Sequence, residues 1–402
     1  MKNQYNKTLI ACFIGYIVQA IINNFVPLLF LTFQTTYHIP LSKITLLVTI
    51  NFGLQLLVDL LAIGFVDKIG YQVSIILAHL FAGLGIGLLP ILPEVFSDPF
   101  LGLLIAVIVY AVGGGLLEVL VSPIVEACPT EHKEKAMSLL HSFYCWGHVG
   151  VVLLSTLFFH FFGVQNWKVL AIFWFMIPIG NGIFFSKVPM VSLIEEGMEG
   201  LTLGQLVQKK IFWILMLLMV CAGASEQSVS QWASTFAEKG LGVSKTIGDL
   251  TGPMLFAICM GSSRAFYGKF GHRINLDQFM IQSGVLCVIS YCIISLVPIP
   301  ALGLIGCGIC GLSVGILWPG TFSMAARFVR GGGTAMYAFL ALAGDLGCSA
   351  GPTVVGMVSS AFSDNLKIGI LGAMIFPIVL IIGIIMSQKI KEDVKILEVE
   401  QQ

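Results

Sequence analysis

Five acidic residues lie inside long apolar segments of the chain, where an ionised side chain is costly: Asp59, Glu118, Glu126, Glu226 and Asp345. A charge at the centre of a bilayer costs about 2.5 to 3.5 kcal/mol on insertion scales, so such residues usually face a wet cavity or a partner. No Lys or Arg falls in the middle of these segments, and we expect the acids to lack cationic partners. Because burial favours the neutral form of a carboxyl group, these side chains suit the binding and release of protons.

Glu118 is the first candidate for proton coupling, and Glu226 and Asp345 are the others. Glu118 and Glu126 are eight residues apart and therefore share one face of a helix, with Glu118 the deeper of the two. Glu126 precedes the charged segment 131–135 and is better explained as part of a charge cluster near the membrane surface. The alternative for Glu118 is a permanently protonated side chain that hydrogen-bonds to a neighbouring helix.

Segment 223–232 carries hydrogen-bonding side chains and is too polar to face lipid. Gln227 and Gln231 are four residues apart, so they form a stripe along one helix face. Such a stripe suits a polyhydroxylated ligand, and the ring of Trp232 can stack on the apolar face of a sugar. The alternative is that these residues join helices within the membrane. Other candidates for substrate binding, chosen as polar or aromatic side chains inside apolar segments, are Gln19, Asn23, Gln55, His141, Trp146 and Trp318.

The composition assigns these residues to an integral membrane protein. Of 402 residues, 57% are hydrophobic and only 10% are charged, against about 25% charged in soluble domains. The formal net charge is zero, which leaves no basic surplus for the phosphates of a nucleic acid. The ten cysteines lie mostly in apolar runs and are expected to be packing residues. We expect no metal ion and no cofactor.

Twelve apolar segments have the length of about 20 residues that a spanning helix needs. We therefore predict an all-α integral membrane fold with twelve transmembrane helices in two pseudo-symmetric six-helix bundles, over residues 1–186 and 211–387. A cytoplasmic linker, 187–210, contains an amphipathic helix along the membrane surface, and 388–402 is a cytoplasmic tail. The predicted spans are approximately 8–33, 41–66, 72–92, 99–124, 136–163, 167–186, 211–236, 246–268, 277–297, 300–325, 334–361 and 366–387.

The distribution of Lys and Arg predicts the orientation. With the N-terminus inside, sixteen of the 21 basic residues fall on the cytoplasmic side, as the positive-inside rule requires. We predict a monomeric, multi-pass protein of the plasma membrane, in a bacterium the inner or cell membrane, with both termini cytoplasmic. The five basic residues on the outer side are Lys43, Lys168, Lys239, Lys245 and Lys367.

An internal repeat supports two halves. The motif Gly64-Phe65-Val66-Asp67-Lys68-Ile69-Gly70 returns 201 residues later as Ala265-Phe266-Tyr267-Gly268-Lys269-Phe270-Gly271. Parallel six-span repeats are typical of transporters in which two bundles rock about a ligand near the midplane. The glycines permit a tight turn, and the carboxylate of Asp67 can face the positive end of a neighbouring helix. Asp345 either binds substrate or packs against this turn.

The first copy of the motif, with Gly64, Asp67, Lys68 and Gly70, resembles the signature of the major facilitator superfamily at this place. The run from Gly113 to Pro123, which contains Glu118, is similar to the fucose permease-like sugar symporters, in which a membrane glutamate follows glycines and precedes a proline. Asn23-Asn24-Phe25-Val26-Pro27 is also similar, although the fucose permeases have an aspartate where this chain has Asn23. The resemblance implies a sugar-symporter-like fold. The glycine-proline signature of the superfamily's antiporters does not follow Gly147, which favours uptake.

The first hypothesis is therefore proton-coupled uptake of a sugar or a similar small polar solute by alternating access. Sodium is an alternative coupling ion, because carboxylate and amide oxygens also suit a hard cation. The alternative function is a proton-driven exporter of small amphipathic compounds. An enzyme is not expected, because His141 and Ser142, as neighbours on a helix, point about 100° apart and cannot form a nucleophile–base pair.

Overall fold

The computed structural model describes residues 5–129, 133–190, 203–329 and 333–400, and in these ranges the chain forms helices and turns and no strand. Eleven stretches of the described residues are long and apolar enough to cross a membrane. Two consecutive helices, Lys245–Thr251 and Pro253–Phe270, form the twelfth crossing. The predicted all-α fold of twelve spans in two six-helix bundles is confirmed.

The first half of the chain supplies eight helices, of which α5 is a single turn and α1 and α2 share one crossing. They are α1 (Tyr5–Asn24), α2 (Phe30–Tyr37), α3 (Leu41–Ile69), α4 (Tyr71–Leu88), α5 (Leu92–Val95), α6 (Pro99–Ala127), α7 (Lys133–Phe162) and α8 (Trp167–Phe185). Of the predicted surface helix at 192–210, the described part is the short helix α9 (Leu203–Val207); residues 191–202 lie outside the described ranges.

The second half contains more interruptions than the hydropathy pattern predicts. Its helices are α10 (Lys210–Ser230), α11 (Ala233–Thr235), α12 (Lys245–Thr251), α13 (Pro253–Phe270), α14 (Leu276–Leu296), α15 (Pro300–Val314), α16 (Leu317–Phe328), α17 (Gly333–Ala361), α18 (Leu366–Ala373) and α19 (Ile375–Glu400). The helical conformation of α19 therefore continues beyond residue 388, where the sequence predicts a tail.

Prolines explain several of the breaks. Pro27 lies in the 3-10 turn Val26–Leu29 that separates α1 from α2, and Pro253 begins α13. Proline lacks the N–H that an α-helix interior needs, but it is tolerated in the first helical turn, where that N–H has no partner. Hydropathy averages over these positions and reports one continuous span.

Glycines bring α6 close to its neighbours and so position Glu118. A Cβ added at Gly115 would lie 2.8 Å from the backbone oxygen of Gln55 in α3, and one added at Gly114 would lie 2.9 Å from the same residue's side chain. Only glycine allows this approach. At the end of α3, Gly70 has φ +90°, a conformation that favours glycine. The surroundings of Gly64 and the side chains of Asp67 and Lys68 lie outside the described part of the structure.

The two halves meet along two seams, α3 against α17 and α7 against α13. At one end of the seams, Lys245 donates a hydrogen bond to the backbone oxygen of Leu28 at 2.6 Å, and Thr156 donates to Asp249 at 3.3 Å. We call this end the closed end. In α7, His148 is buried, whereas His141, two turns farther from the closed end, is exposed. The space between the halves therefore opens away from the closed end.

All five basic residues predicted to be outside lie at the closed end, because an odd number of crossings, counted from the N-terminus, precedes each of them. Exposed ion pairs join Lys43 to Asp98 and Lys168 to Glu94 there. Hydrogen bonds from Lys168 and Tyr37 hold the pKa of Glu94 below its usual value. Since the pair is exposed, it contributes little to stability.

Candidate functional site

A cavity of about 100 Å³ lies between the two halves. Eight helices contribute to its wall: α1, α3, α6 and α7 from the first half and α10, α13, α16 and α17 from the second. Its lining is a mixture of amides, acids, aromatic rings and one guanidinium group. The lining residues are Tyr16, Gln19, Asn23, Phe52, Gln55, Glu118, His141, Tyr144, Glu226, Gln227, Arg264, Trp318, Asp345 and Cys348.

An amide network lines the wall of the first half. Gln19 donates through Nε2 to Oε1 of Gln55 at 2.8 Å and to Oε2 of Glu118 at 3.3 Å. Gln55 in turn donates through Nε2 to Oδ1 of Asn23 at 3.1 Å and to Oδ1 of Asn51 at 2.9 Å. These bonds join α1, α3 and α6 and hold Glu118 at the cavity wall.

The second half contributes a polar chain along α10. Gln227 donates to Oε1 of Glu226 at 3.3 Å, and Gln231 donates to Oε1 of Gln227 at 3.0 Å. Gln231 also donates to the backbone oxygen of Asn23 at 2.9 Å, so this stripe links the two halves. The predicted stripe of Gln227 and Gln231 exists, and its Gln227 end faces the cavity.

Glu226 has a cationic partner, contrary to the expectation from the sequence that no Lys or Arg lies in the middle of a span to pair with the acids. Nη2 of Arg264 lies 3.2 Å from Oε2 of Glu226. Arg264 also donates to the backbone oxygen of Gly315 and, across the halves, to Sγ of Cys145, both at 3.3 Å. The sequence placed Arg264 near the cytoplasmic end of the predicted span 246–268, and its position in α13, which continues to Phe270, lets its side chain reach Glu226.

Three carboxyl groups without such a partner lie close together, and two of them, Glu118 and Asp345, line the cavity. Asp59 of α3, Glu118 of α6 and Asp345 of α17 each have a carboxylate oxygen within 4.8 Å of the other two. We call them the acid triad. Two members come from the first half and one from the second, so the triad bridges the α3–α17 seam.

Most of the predicted site residues are brought together by the fold. Nine of them line one cavity: Gln19, Asn23, Gln55, Glu118, His141, Glu226, Gln227, Trp318 and Asp345. Asp345 is therefore in the cavity wall rather than only at a helix turn. The side chain of Glu126 lies outside the described part of the structure.

Two predicted aromatic residues lie elsewhere. Trp232 is fully buried, donates through Nε1 to the backbone oxygen of Pro352 at 3.0 Å and packs against Phe30. Trp146 is 55% exposed and does not line the cavity. Of the three predicted tryptophans, Trp318 lines the cavity, and its sequence neighbourhood did not distinguish it from the other two.

The fold adds lining residues that the sequence analysis did not select. Tyr16, Phe52, Tyr144 and Cys348 resemble ordinary packing residues of apolar helices, and no sequence signal separates them from the core. Arg264 could have been selected from the sequence, because it is a basic residue seven positions before Gly271 in a helix that continues beyond Arg264.

Comparisons with known proteins agree on the fold. The sequence model of the Major Facilitator Superfamily matches residues 8–352, and no curated protein gives a significant sequence match. A bacterial homologue of the human lysosomal transporter Spinster, in an inward-facing and unoccupied conformation, has a TM-score of 0.76 and 13% identity over 97% of this chain and 98% of that one.

Two sugar symporters of known structure are also similar. The D-xylose-proton symporter has a TM-score of 0.73 and 12% identity over 96% of this chain and 97% of that one. The E. coli fucose:proton symporter has a TM-score of 0.64 and 16% identity over 96% of this chain and 99% of that one. At these identities the likeness shows the fold alone.

Proposed function

The chain belongs to the major facilitator superfamily, and we propose that it is a secondary active transporter that takes up a sugar or a similar small polar solute together with protons. The observation that carries the proposal is the cavity itself. It lies between two six-helix bundles, is lined by polar groups from both and is closed at one end. Rocking of the bundles about such a cavity gives alternating access.

The lining favours a polyhydroxylated solute. Gln19, Gln55 and Gln227 present amides, and the Glu226–Arg264 pair presents a charged donor and acceptor side by side. Hydroxyl groups both donate and accept, so they can bind to all of these groups. We propose that Trp318, with its indole at the cavity wall, stacks on the apolar face of the solute.

We propose that Glu118 and Asp345 bind the coupling protons. Neither forms an ion pair with a described Lys or Arg side chain, whereas Glu226 is paired with Arg264. Because Glu226 already has the guanidinium group of Arg264 as a partner, we assign it to substrate binding rather than to proton release, although the sequence ranked it with the other two.

Export of small amphipathic compounds is the second candidate. Tyr16, Phe52, Tyr144 and Trp318 add four aromatic rings to the cavity wall, and such rings also bind apolar ligands. The amides and charged groups of the wall favour the polar solute. With the predicted orientation, the closed end faces outward and the protein is an inward-open carrier of the cell membrane.

The proposal is tested with purified protein in proteoliposomes. Radiolabelled monosaccharides are offered with an imposed inward proton gradient, and accumulation is compared with and without a protonophore. We expect at least one sugar to accumulate above its outside concentration and the protonophore to abolish this accumulation. Counterflow without a gradient serves as the control for binding and exchange.

Two results would contradict uptake with protons. Accumulation that survives the protonophore but requires a sodium gradient would show that sodium, rather than the proton, is the coupling ion. If solutes are concentrated only in the direction opposite to proton flow, and amphipathic dyes are preferred over sugars, the protein is an exporter instead.

A further inference from the structure

The acid triad has a geometry that proton binding alone does not require. Its three carboxyl groups come from Asp59, Glu118 and Asp345, on three different helices, and their oxygens converge within 4.8 Å. Like charges this close repel strongly in a medium of low dielectric. Three carboxylates therefore share such a space only when a cation, or two or more protons, offset their charge.

Asp59 and Asp345 are buried, Glu118 is half-buried, and no described Lys or Arg side chain pairs with any of the three. Asp59 is 8% exposed and Asp345 is 5% exposed. Oδ1 of Asp59 and Oδ2 of Asp345 are shielded from solvent and have no hydrogen-bond partner. None of the ion pairs among the described side chains includes a triad residue; the nearby guanidinium group of Arg264 is directed at Glu226. Buried acceptors in this condition call for a donor or a cation.

A fourth oxygen, outside the triad, points to the same conclusion. Gln19 is 4% exposed, and its Oε1 also has no hydrogen-bond partner. Its Nε2 bonds to Glu118 and Gln55, which fixes the amide beside the triad. The amide that bonds to Glu118 thus also carries an unpartnered oxygen. A single donor would satisfy one of these acceptors, whereas a cation can satisfy several at once.

We infer that the acid triad, assisted by Gln19, binds a hard cation of the size of Ca²⁺ or Na⁺ between the two halves. Only oxygen ligands are offered, which excludes soft metals. Ligand oxygens lie about 2.3 to 2.6 Å from Ca²⁺, so oxygens on opposite sides of the ion are about 5 Å apart. The smaller Mg²⁺, with ligands at about 2.0 to 2.1 Å and a strict octahedral preference, fits this spacing less well.

Such an ion would act on the conformation as well as on the site. Asp59 and Glu118 belong to one half and Asp345 to the other, so a shared cation favours the arrangement in which α3 and α17 meet. Any ligand that prefers one arrangement shifts the equilibrium toward it, and the coupling to substrate affinity is reciprocal. The inference concerns the same carboxyl groups as the proposed proton coupling, but ion binding can be measured without transport.

The test uses the purified full-length protein in detergent at one fixed pH near neutrality. Melting temperature is measured in NaCl, CaCl₂, MgCl₂ and choline chloride at equal ionic strength, and binding of radioactive ²²Na⁺ or ⁴⁵Ca²⁺ is measured directly. We expect stabilisation by Na⁺ or Ca²⁺ over choline, saturating at one ion per protein, because a ligand of the folded state raises stability by mass action.

Variants connect the effect to the triad. Asp345→Asn and Asp59→Asn should weaken ion binding by about tenfold or more, since even outer-shell changes at metal sites cost about 10- to 100-fold. Asp277→Asn, a buried carboxyl paired with Arg327 away from the cavity, should retain the cation response. If a variant fails to fold, direct ion binding by the wild type still decides the question.

The outcomes separate this inference from the proposed function. A folded wild-type protein that binds neither ion and melts at the same temperature in all four salts overturns the cation site and leaves proton coupling intact. A response that persists unchanged in folded Asp345→Asn and Asp59→Asn would show a general effect of the salt and also overturn it. Ion binding in a protein that transports no solute would support the cation site while contradicting the carrier.

Discussion

At the scale of single residues, the buried acids of the cavity fall into two chemical situations. Glu226 has Arg264 at 3.2 Å, whereas the members of the acid triad have only one another and amide groups. Breaking a buried ion pair leaves an uncompensated charge, at a cost of about 3 to 5 kcal/mol. A carboxyl group without such a partner can exchange its proton without that cost, which is the property a coupling residue needs.

Glu118→Gln tests this distinction. The amide keeps the shape and the hydrogen bond to Gln19 but cannot take up or release a proton. We expect gradient-driven accumulation to fall to the level of empty liposomes, while counterflow of the same sugar continues at a rate within a few-fold of wild type. Glu94→Gln, which changes an exposed carboxyl at the closed end, is the matched control. Concentrative uptake by Glu118→Gln would remove Glu118 from the coupling mechanism.

The three candidate tryptophans now have separate predictions. Trp318→Ala should weaken solute binding by about 0.5 to 1.5 kcal/mol in addition to the effect of the lost contact area, which is the value of an aromatic stacking contact. The protein should still fold.

Trp232→Ala should instead destabilise the fold by about 3 to 5 kcal/mol, because this residue is fully buried and bonds to the Pro352 oxygen. Calorimetric titration and melting temperature distinguish the two effects; Trp146→Ala, at an exposed site, should change neither.

At the scale of helices, the α3–α17 seam is the contact that alternating access must break. Its helices approach so closely that a Cβ added at Gly356 would overlap Thr45, and the hydroxyl groups of Thr49 and Thr353 bond across it. Small residues permit this contact, as at helix interfaces in other membrane proteins. A larger side chain at a single position is therefore expected to separate the two helices of the seam.

Gly356→Leu should shift the protein toward the state in which the two halves separate at the closed end. Overpacking costs about 1 to 3 kcal/mol, and an energy of this size changes a two-state equilibrium by about 5- to 150-fold. Spin labels at Ser97→Cys and Phe362→Cys, exposed positions of the two halves at that end, should report a longer distance. The parent protein without the added cysteines measures background labelling.

Gly180→Leu is the control for this experiment, since an added Cβ there meets no atom within 4 Å. It should leave the distance distribution unchanged. An unaltered distribution in folded Gly356→Leu would mean that the seam does not set the conformational equilibrium.

At the scale of the whole molecule, the closed end carries the five basic residues that charge counting assigns to the outer side. The positive-inside rule then predicts that alkaline phosphatase fused after residue 165, in the turn between α7 and α8, is active in a bacterial host. A fluorescent protein fused to the C-terminus should be fluorescent in the cytoplasm. The reverse pattern would invert the orientation and make the structure outward-open.

Local patterns in the chain were enough for the crossings and for the general region of the site. Apolar runs of spanning length predict twelve helices because each backbone polar group must be satisfied inside its own helix within lipid. Glu118, Gln19 and Gln55 were selected as candidate site residues because polar side chains inside a membrane usually face a wet cavity or a partner. These inferences need no knowledge of which helices are neighbours.

Only the tertiary structure determined which of these side chains lie next to one another. Arg264 and Glu226 are 38 residues apart, and Asp59 and Asp345 lie in different halves, so their proximity depends on how helices pack and rotate. The same holds for Trp232 and Trp318, whose local sequences fit a ligand-stacking ring equally well. Helical periodicity states which residues share a face, but the direction of that face is determined by contacts between helices distant in sequence.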